Sequence, residues 1–468
     1  MPPMLKRAFR EKMETAGVSE AAIRAFERSF SLLEKNESGL IAECTIQPAN
    51  DLPHLDQIAA SITPDVGLLR ETAMLKLNGG LGTGMGLERA KSLLPVRAGL
   101  TFLDLIIRQI LHFRRDNGAD VQFLLMNSFS TSADTLAALQ QHPEIGEPAE
   151  IELLQNKIPK VDAKTLEPAV WPADPELEWC PPGHGDLYAV LSTGGVVERL
   201  LADGIRYVFV SNSDNLGATL DLALLTWFAR SGAPFAMEVT ARTASDRKGG
   251  HLAQREGQLL LRESAQCPAE DMDAFQDIER HRYFNTNNLW LRLDRLRDAL
   301  AEFHGSLPLP LILNKKTVDP RDKNSPEVYQ LETAMGAAIE CFHDACAIDV
   351  PRSRFAPVKT TADLLTLRSD AYDITPDGCA VLVPELRGVP PHIELDGNYK
   401  LVDQLEEAIA GGVPSLRACR SLKIDGPVRF APGVRFAGDV QVKNPTSTPL
   451  EIPAGFYRDT VVSLPIGK

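Results

Sequence analysis

The stretch LNGGLGTGMG, residues 77–86, follows a short apolar strand predicted at 74–77. Five glycines fall within eight of its residues, so several backbone N–H groups can approach an anion closely. The spacing is not that of a Walker A loop, because Ala90 stands where a glycine must precede Lys91, and Met85 breaks a G-x-G-x-x-G fingerprint. The stretch indicates a cradle for a phosphate or a nucleotide, with a flexible strand–helix turn as the alternative.

Strands and helices alternate on both sides of this stretch. Apolar runs predict further strands at 121–126, 205–210 and 235–239, and a 3.6-residue period predicts helices at 102–113 and 220–228. This alternation is typical of an α/β domain with a mostly parallel sheet. Ligands of such sheets bind at the carboxyl ends of the strands, and the polar and glycine-rich segments fall at those ends.

The two ends of the chain follow other patterns. A helical period over 5–35, broken near Gly17, precedes a looser connection rich in proline. Near the carboxyl end, apolar residues recur every six positions at Leu422, Val428, Val434 and Val440, which favours short β-helix rungs over an ordinary meander of two or three strands. We expect a helical segment over 1–70, a catalytic domain over 71–385 and a β-helix domain over 386–468.

Length and charge exclude several classes of protein. At about 150 residues per domain, a chain of 468 residues predicts two to four domains. The net charge of -14 argues against nucleic acid or an anionic membrane as the main partner, yet it allows a small anionic ligand held by a few local cations. Seven cysteines without a C-x-x-C pair make a disulfide framework or a structural zinc site unexpected. With neither a signal peptide nor a long apolar run, we expect a cytoplasmic protein.

Two polar segments suggest places for a ligand and a metal ion. The segment 181–186, PPGHGD, has prolines that stiffen it and glycines on both sides of His184, so it holds its backbone near a ligand, although a surface turn is the commoner meaning of a lone histidine. The segment 211–215, SNSDN, ends a predicted strand, and Asp214 there is a candidate ligand of Mg²⁺, with a helix N-cap as the alternative.

Two further segments suggest contacts with a sugar and with phosphates. The segment 284–290, FNTNNLW, offers three asparagines for sugar hydroxyls, with an Asx-turn as an equal alternative. The segment 350–360 carries Arg352, Arg354 and Lys359 between prolines, which suggests a phosphate clamp, although a solvated basic face is the commoner meaning. Lys91 follows the glycine-rich cradle and is as well explained by a triphosphate contact as by a solvated charge. Together the segments describe a nucleoside triphosphate, a divalent ion and a sugar.

These segments resemble one known family. Between about residues 70 and 370 the chain carries, in family order, the motifs KLNGGLGTGMG, AKS, LTFLDL, PPGHGD, FVSNSDNLGA, KGG, FNTNNLW, LETAMGAAI and VPRSRFAPVKTTADLL. They are similar to those of the eukaryotic-type UTP–glucose-1-phosphate uridylyltransferases (UDP-glucose pyrophosphorylases). The resemblance implies a GT-A-like, Rossmann-related nucleotidyltransferase domain with a mixed, mostly parallel sheet, a helical N-terminal segment and a C-terminal left-handed β-helix. It also implies Mg²⁺ as cofactor, UTP and glucose 1-phosphate as substrates, and a homo-oligomer through the C-terminal domain as one option.

The resemblance also implies site residues, motif by motif. For the nucleotide, these are Leu77, Asn78, Gly79 and Gly80 near uracil and ribose, Met126, Gln155 on the uracil edge, Gly183 through its backbone, and Lys91 and Lys359 on the phosphates. For the sugar phosphate, these are His184, Asn212, Asn285 and Asn287. Asp214 is the expected Mg²⁺ ligand, and Lys91, Lys359 and Asp214 are the expected catalytic residues.

Two positions depart from the family. Ala90 replaces the usual proline before the lysine of the AKS motif, and residues 86–89 differ from the commoner Gly-Cys form. Both changes affect the stiffness of the loop more than its ligand chemistry.

Three alternative functions are weighed against the family activity. One is a pyrophosphorylase that accepts a broader range of UDP-sugars. Another is a UDP-N-acetylhexosamine pyrophosphorylase, which is disfavoured because those relatives carry Gln and Arg where this chain has Leu81 and Gly84. A non-catalytic regulator that binds a UDP-sugar is disfavoured because a pure binder would not need Lys91, Asp214 and Lys359 together.

Overall fold

The computed structural model describes residues 3–35, 39–243 and 246–465. Its helices are α1 (Pro3–Thr15), α2 (Glu20–Glu34), α3 (Leu55–Ser61), α4 (Phe102–Asn117), α5 (Ser132–Leu139), α6 (Pro148–Ile151), α7 (Leu187–Ser192), α8 (Val196–Ala202), α9 (Leu222–Ser231), α10 (Met272–Phe275), α11 (Leu293–Glu302), α12 (Thr361–Arg368) and α13 (Val402–Ile409). The strands before residue 300 are β1 (Gln47–Pro48), β2 (Thr72–Asn78), β3 (Pro95–Arg97), β4 (Leu100–Thr101), β5 (Gln122–Asn127), β6 (Glu152–Leu154), β7 (Ile158–Pro159), β8 (Val161–Asp162), β9 (Trp179–Cys180), β10 (Tyr207–Asn212), β11 (Phe235–Ala241), β12 (His251–Arg255), β13 (Gln258–Arg262) and β14 (Tyr283–Arg292). The later strands are β15 (Ile312–Thr317), β16 (Glu327–Glu332), β17 (Cys346–Asp349), β18 (Tyr372–Ile374), β19 (Ala380–Leu382), β20 (His392–Leu395), β21 (Ser415–Asp425), β22 (Val428–Phe430), β23 (Val434–Lys443), β24 (Leu450–Ile452) and β25 (Gly455–Ser463).

A ten-stranded mixed sheet forms the centre of the protein. Its parallel half runs in the order β10-β2-β5-β6, and β14 pairs antiparallel with β10 on the other side. Beyond β14 the strands β11, β12, β13 and β1 pair mainly antiparallel, with β17 parallel to β11. The α/β class is therefore confirmed, and the sheet is mixed, with most of its parallel pairings in the half that carries the glycine-rich stretch.

The central strands are buried on both faces, which explains why they appear as continuous apolar runs in the sequence. Every residue of β2 is buried. Met74 packs with α4 and α9 on one face, and Leu75 and Leu77 pack with α7, α8 and α11 on the other. The predicted strands and helices of this domain are all present, and α4 begins at a Thr101 N-cap whose capping box includes Asp104.

The N-terminal helices α1 and α2 confirm the helical period over 5–35. Gly17, with a φ of 72°, lies in the turn between them, and Ser19 caps α2 by accepting a hydrogen bond from the Ala22 N–H. The rings of Phe9, Phe26 and Phe30 form a separate cluster with residues of β7, β9 and β16.

The C-terminal strands stack in parallel. β20, β21, β23 and β25 form one sheet and β22 and β24 another, with Leu422 opposite Val440 and Val428 opposite Leu450. Leu422 and Val440 lie 18 residues, or three hexads, apart, and Val428 and Leu450 lie 22 residues apart. The meander alternative is wrong because neighbouring strands of a meander pair antiparallel. The core of this region is continuous with that of the central domain.

Within the described ranges, the helices are too short or too polar to span a bilayer.

Candidate active site

Three parallel strands end at the same level of the sheet. Leu77 lies opposite Met126 on one side and opposite Asn212 on the other, so the loops that follow β2, β5 and β10 begin side by side. This alignment brings together the glycine-rich stretch, the region near Gln155 and the loop with Asp214. The carboxyl edge of the sheet is therefore the candidate active site, as the sequence predicts.

The glycine-rich stretch turns sharply and returns to the sheet edge. Gly82 and Gly86 have φ angles of 71° and 76°, a region that other residues rarely adopt, and they flank the short 3-10 turn Thr83–Met85. The Lys91 N–H then donates to the Gly80 carbonyl, at 3.2 Å. This hydrogen bond places the side chain of Lys91 over the edge of the sheet.

Two of the expected nucleotide-binding residues have side chains inside the scaffold. Asn78 is 1% exposed, and its amide donates to Asn127 and Thr135 while its oxygen accepts from Ser213. Met126 is 1% exposed and packs in the core beside Leu77. The side chain of Asn78 therefore holds the segments after β5 and β10 in position.

Asp214 and Lys91 meet where the loops after β2 and β10 converge. Lys91 Nζ lies 2.6 Å from Asp214 Oδ2, although 123 residues separate them in sequence. Asp214 Oδ1 is buried and has no hydrogen-bond partner among the described residues. A buried carboxylate oxygen without a partner fits a hard divalent cation, which prefers oxygen ligands. No set of three or more acidic, histidine or cysteine side chains with metal-binding geometry lies in the described chain.

The buried Lys76, which the sequence analysis missed, holds the loop that carries Asp214. Lys76 Nζ donates to Ser211 Oγ at 2.8 Å and to the Ala218 carbonyl at 2.7 Å, so it ties together both ends of the segment that carries Asp214. Burial lowers the pKa of Lys76 to about 7, with the charge of Arg354 as a smaller cause. In the sequence, Lys76 begins the motif KLNGGLGTGMG, but neither the motif nor the apolar strand around it indicates this supporting role.

Gln155 lies against the glycine-rich stretch. Its Nε2 donates to the Gly183 carbonyl at 2.9 Å, which assigns the amide nitrogen because a carbonyl only accepts. A Cβ at Gly79 would lie 2.6 Å from Oε1 of Gln155, so any other residue there would force the Gln155 amide to move. Gly183 has a φ of 79°, and a Cβ there would lie 2.5 Å from the Thr333 carbonyl oxygen.

His184 is held as a neutral ring. Its Nδ1 accepts a hydrogen bond from the Met335 N–H at 3.0 Å, which leaves the ring proton on Nε2. Burial, with a smaller effect of the Lys359 charge, lowers the pKa of His184 to about 4. His184 is therefore a hydrogen-bond donor at neutral pH and is not charged.

The asparagine-rich segment is part of strand β14 and contains a bulge. The register with β11 shifts between Glu238 and Val239, and Asn287 has a φ of 58°. Asparagine tolerates this left-handed conformation better than most residues. The bulge turns Asn285 and Asn287 toward each other, with Asn285 Nδ2 2.9 Å from Asn287 Oδ1, and offers both amides at one place on the strand.

Glu263 is a second residue of this region that the sequence analysis missed. A Cβ at Gly250 would lie 2.5 Å from its carboxylate, and the Gly250 carbonyl accepts from the Asn285 N–H. Burial raises the pKa of Glu263, and the positive charge of Lys359 acts against that rise. A single glutamate after β13 gives no local signal, because its position depends on the pairing of distant strands.

The predicted phosphate clamp is only partly available. Arg352 makes two hydrogen bonds to Asp246, and Arg354 makes two to Glu238. The charge of each arginine is therefore already paired with a carboxylate of the protein. The ammonium of Lys359 instead lies 5.7 Å from the ring centroids of both Phe284 and Phe355. Of the three cations, Lys359 is the one whose charged group lies beside the asparagine-rich strand, through Phe284.

The pair formed by Arg354 and Glu238 is expected to stabilise the fold strongly. Glu238 is fully buried and also accepts from Trp290 and Asn288, and both oxygens lie 2.8 Å from Arg354 nitrogens. Glu238→Gln would leave a buried guanidinium without its anion, which costs about 3–5 kcal/mol of unfolding free energy. Urea denaturation would measure the loss, with Glu385→Gln in the exposed pair with Arg417 as a control that leaves stability unchanged. Equal stability of both variants would contradict this role.

Comparisons with known proteins identify similar sequences. The sequence profile of the family described as UTP–glucose-1-phosphate uridylyltransferase matches residues 23–436. The UTP–glucose-1-phosphate uridylyltransferase of Solanum tuberosum is 41% identical over 392 residues, which cover 83% of this chain and 80% of that protein. The enzyme of the same name from Saccharomyces cerevisiae is 39% identical over 407 residues, which cover 87% of this chain and 80% of that protein.

Solved structures are similar over the whole chain. A variant of the Leishmania major UDP-glucose pyrophosphorylase, crystallised in complex with UDP-glucose, matches with a TM-score of 0.94 and 46% identity, covering 99% of this chain and 100% of that one. A UDP-glucose phosphorylase from Trypanosoma brucei matches with a TM-score of 0.93 and 49% identity, covering 98% of this chain and 99% of that one.

Proposed function

The chain belongs to the UTP–glucose-1-phosphate uridylyltransferase family, and we propose that its glycine-lined cleft carries out that family's reaction with Lys91, Lys359 and Asp214 as catalytic residues. Membership makes the protein a nucleotidyltransferase that forms UDP-glucose and pyrophosphate from UTP and glucose 1-phosphate. The observation that carries the catalytic proposal is the contact of 2.6 Å between Lys91 and Asp214 at the edge of the parallel strands. This contact supports the proposal because it joins a cation and a carboxylate at the edge of the sheet where the triphosphate is proposed to bind.

Gln155 is proposed to read the uracil base. Because its Nε2 already donates to Gly183, its Oε1 beside Gly79 is the atom that can accept a hydrogen bond from the N3–H of uracil. Cytosine has no hydrogen at N3, so the same oxygen would face a lone pair. A site that hydrogen-bonds a group on one substrate rejects the analogue that lacks it.

The phosphates are proposed to lie along the glycine-rich stretch and over Lys91. Asp214 would hold Mg²⁺ through its unpartnered Oδ1, and the bound ion would neutralise phosphate charge and orient the triphosphate. The ammonium of Lys91 would hold phosphate oxygens beside it. UTP and glucose 1-phosphate, which repel each other as anions, could then approach because the positive charges of the site neutralise part of their negative charge.

The sugar phosphate is proposed to bind on the β14 side of the site. The amides of Asn285 and Asn287 would bond sugar hydroxyls, while the Nε2–H of neutral His184 would donate to the sugar phosphate. Asn212, at the end of β10, would contact the same phosphate. Lys359 would add a positive charge near the bond that forms.

The reaction needs positioning more than acid–base chemistry. A phosphate oxygen of glucose 1-phosphate forms a bond to the α-phosphorus of UTP in line with the bond to the bridging oxygen of the β-phosphate. That second bond breaks, and its electron pair leaves with pyrophosphate. Because the nucleophile is already an anion, no proton has to be removed, and orientation alone can supply on the order of 7–11 kcal/mol in well-aligned cases.

Finer features of the fold and its setting belong to the same proposal. We propose that the central domain is GT-A-like and that the C-terminal coils wind left-handed into a β-helix, which the parallel pairing of β21, β23 and β25 supports. A cytoplasmic location, and assembly through the C-terminal coils as one option, follow the family resemblance.

A substrate panel tests the proposed function. Purified protein would be incubated with each of four nucleoside triphosphates and with several sugar 1-phosphates, and released pyrophosphate would be measured with Mg²⁺ present and after chelation. We expect release with UTP and glucose 1-phosphate that stops on chelation and returns when Mg²⁺ is restored. Release with another sugar at an equal rate would indicate a broader pyrophosphorylase, and absence of release would indicate a binding protein.

Replacing Gln155 with alanine should relax the choice of nucleotide. The variant loses the acceptor for the uracil N3–H, so the preference for UTP over CTP in kcat/KM is expected to fall at least about 10-fold. The same pyrophosphate assay measures it, with the remote exposed Gln140→Ala as a matched control. An unchanged preference in a folded Gln155→Ala variant would show that another group reads the base.

A further inference from the structure

Two chain segments meet at the base-reading end of the site, and a single carboxylate joins them. One segment is Gln155–Asn156, directly after β6, and the other is the short turn His184–Asp186 with Gly183 before it. The Gly183 carbonyl accepts from Gln155 Nε2 at 2.9 Å and from the Asp186 N–H at 3.3 Å. The Asp186 carboxylate bonds back across the junction to Asn156.

The contacts of that carboxylate are concentrated on one residue. Asp186 Oδ2 accepts from the Asn156 backbone N–H at 2.8 Å, and Oδ1 and Oδ2 both lie 3.1 Å from Asn156 Nδ2. The other side of the Asn156 amide is also fixed, because Ser19 Oγ donates to its Oδ1 at 3.0 Å. Asn156 is therefore held at its backbone and at both ends of its side chain.

A contribution to stability does not explain why residue 186 is a carboxylate. Asp186 is only 5% exposed. Within the described chain, every hydrogen bond to its carboxylate comes from Asn156, which is neutral. Burial raises the pKa of Asp186 to about 6, against the hydrogen bonds from Asn156 that lower it. A buried carboxylate that no cation neutralises costs stability, so a role beyond folding has to account for it.

We propose that Asp186 is a positioning residue for base selection, which holds the backbone at Asn156 and thereby sets the orientation of Gln155 against Gly79 and Gly183. The inference rests on the proposed base-reading role of Gln155 and adds a residue that does not itself touch the nucleotide. Asn156 follows Gln155 directly, so a shift of its N–H moves the amide of Gln155 with it. Displacements of about 1 Å in a positioning group are enough to change rates substantially.

Two variants separate this role from a structural one. Asp186→Ala removes all three bonds to Asn156, whereas Asp186→Asn keeps an oxygen that can accept from the Asn156 N–H. The new amide nitrogen can be accommodated by a flip of the Asn156 amide, because the Ser19 hydroxyl both donates and accepts. We expect the UTP-over-CTP ratio of kcat/KM to fall about 10-fold in Asp186→Ala and to stay within about 3-fold of the natural protein in Asp186→Asn.

Thermal melting gives an independent readout. Because Asp186→Asn replaces a buried charge by a neutral group, its Tm is expected to equal or exceed that of the natural protein. If Asp186 had a purely structural role, replacing it would instead lower the Tm and would reduce kcat/KM equally for UTP and for CTP. Asn156→Ala, alone and combined with Asp186→Ala, completes the test: if Asp186 acts through Asn156, the double variant loses no more selectivity than Asn156→Ala alone.

The outcomes are distinguishable from a failure of the proposed function. If Gln155→Ala keeps its nucleotide preference, the base-reading role fails. If Gln155→Ala loses its preference while Asp186→Ala and Asn156→Ala keep theirs, only the positioning role of Asp186 is overturned. Should Asp186→Ala not fold, the selectivity of Asn156→Ala and the Tm of Asp186→Asn decide the question, and unchanged selectivity in Asn156→Ala overturns the inference.

Discussion

Asp214→Ala is expected to lower kcat at least about 100-fold, the scale seen when one stabilising electrostatic group is removed from an active site. The carboxylate contacts Lys91 at 2.6 Å, and its second, buried oxygen has no hydrogen-bond partner in the part of the chain that the structure describes. Its loss removes the proposed ligand for the divalent ion and leaves Lys91 without its counter-charge. Initial rates of pyrophosphate release at saturating UTP and glucose 1-phosphate would measure the effect.

Two further variants make this result specific. Asp214→Asn keeps the shape and one oxygen but not the charge, so we expect a smaller loss and a higher Mg²⁺ concentration for half-maximal rate. Asp203→Ala, at an exposed aspartate after α8, is the matched control and is expected to behave as the natural protein does. A folded Asp214→Ala variant with a rate near that of the natural protein would remove this residue from the mechanism.

Lys359→Ala is likewise expected to lower kcat at least about 100-fold. The Lys359 ammonium lies beside the rings of Phe284 and Phe355. Its positive charge helps to lower the pKa of His184 and opposes the rise in the pKa of Glu263. Lys359 therefore lies within the proposed sugar side of the site. We expect kcat to fall more than KM rises, because the charge serves the step in which negative charge moves between phosphates.

The aliphatic part of the side chain can be tested apart from its charge. Lys359→Met keeps the contact with the two rings but not the charge, so it is expected to be as slow as Lys359→Ala. Lys164→Ala, at an exposed lysine after β8, is the control and should leave kcat unchanged. A fast Lys359→Met variant would show that packing against the rings, and not charge, is what Lys359 contributes.

Much of the fold follows from local pattern. The strands β2, β5 and β10 and the helices α4 and α9 were predictable because a buried strand and an amphipathic helix each leave a periodic trace in a short window. Strand β14 was not predicted as a strand, since its asparagines resemble those of a turn. The bulge opposite Glu238 resolves this conflict, because it lets Asn287 take a left-handed conformation inside a strand.

Some residues of the candidate site could likewise be predicted from the sequence, and others could not. The glycine-rich stretch, Gln155, Gly183 and Asp214 could be chosen from motifs, and the family resemblance supplied their expected roles. Glu263 lies in none of these motifs, and Lys76 begins one of them without an assigned role, because the contacts of both residues depend on distant segments of the chain.

The sequence by itself determined the α/β class, the family and the strand ends at which the site lies, since these depend on periodicity and on short motifs. Only the tertiary structure decided which charges are available. Arg352 and Arg354 are as basic as Lys359 in the sequence, yet Asp246 and Glu238, more than 100 residues earlier, neutralise the first two, whereas the ammonium of Lys359 lies beside two aromatic rings. The physical reason is that electrostatic interactions depend on distance in space, which a fold sets by pairing segments that lie far apart along the chain.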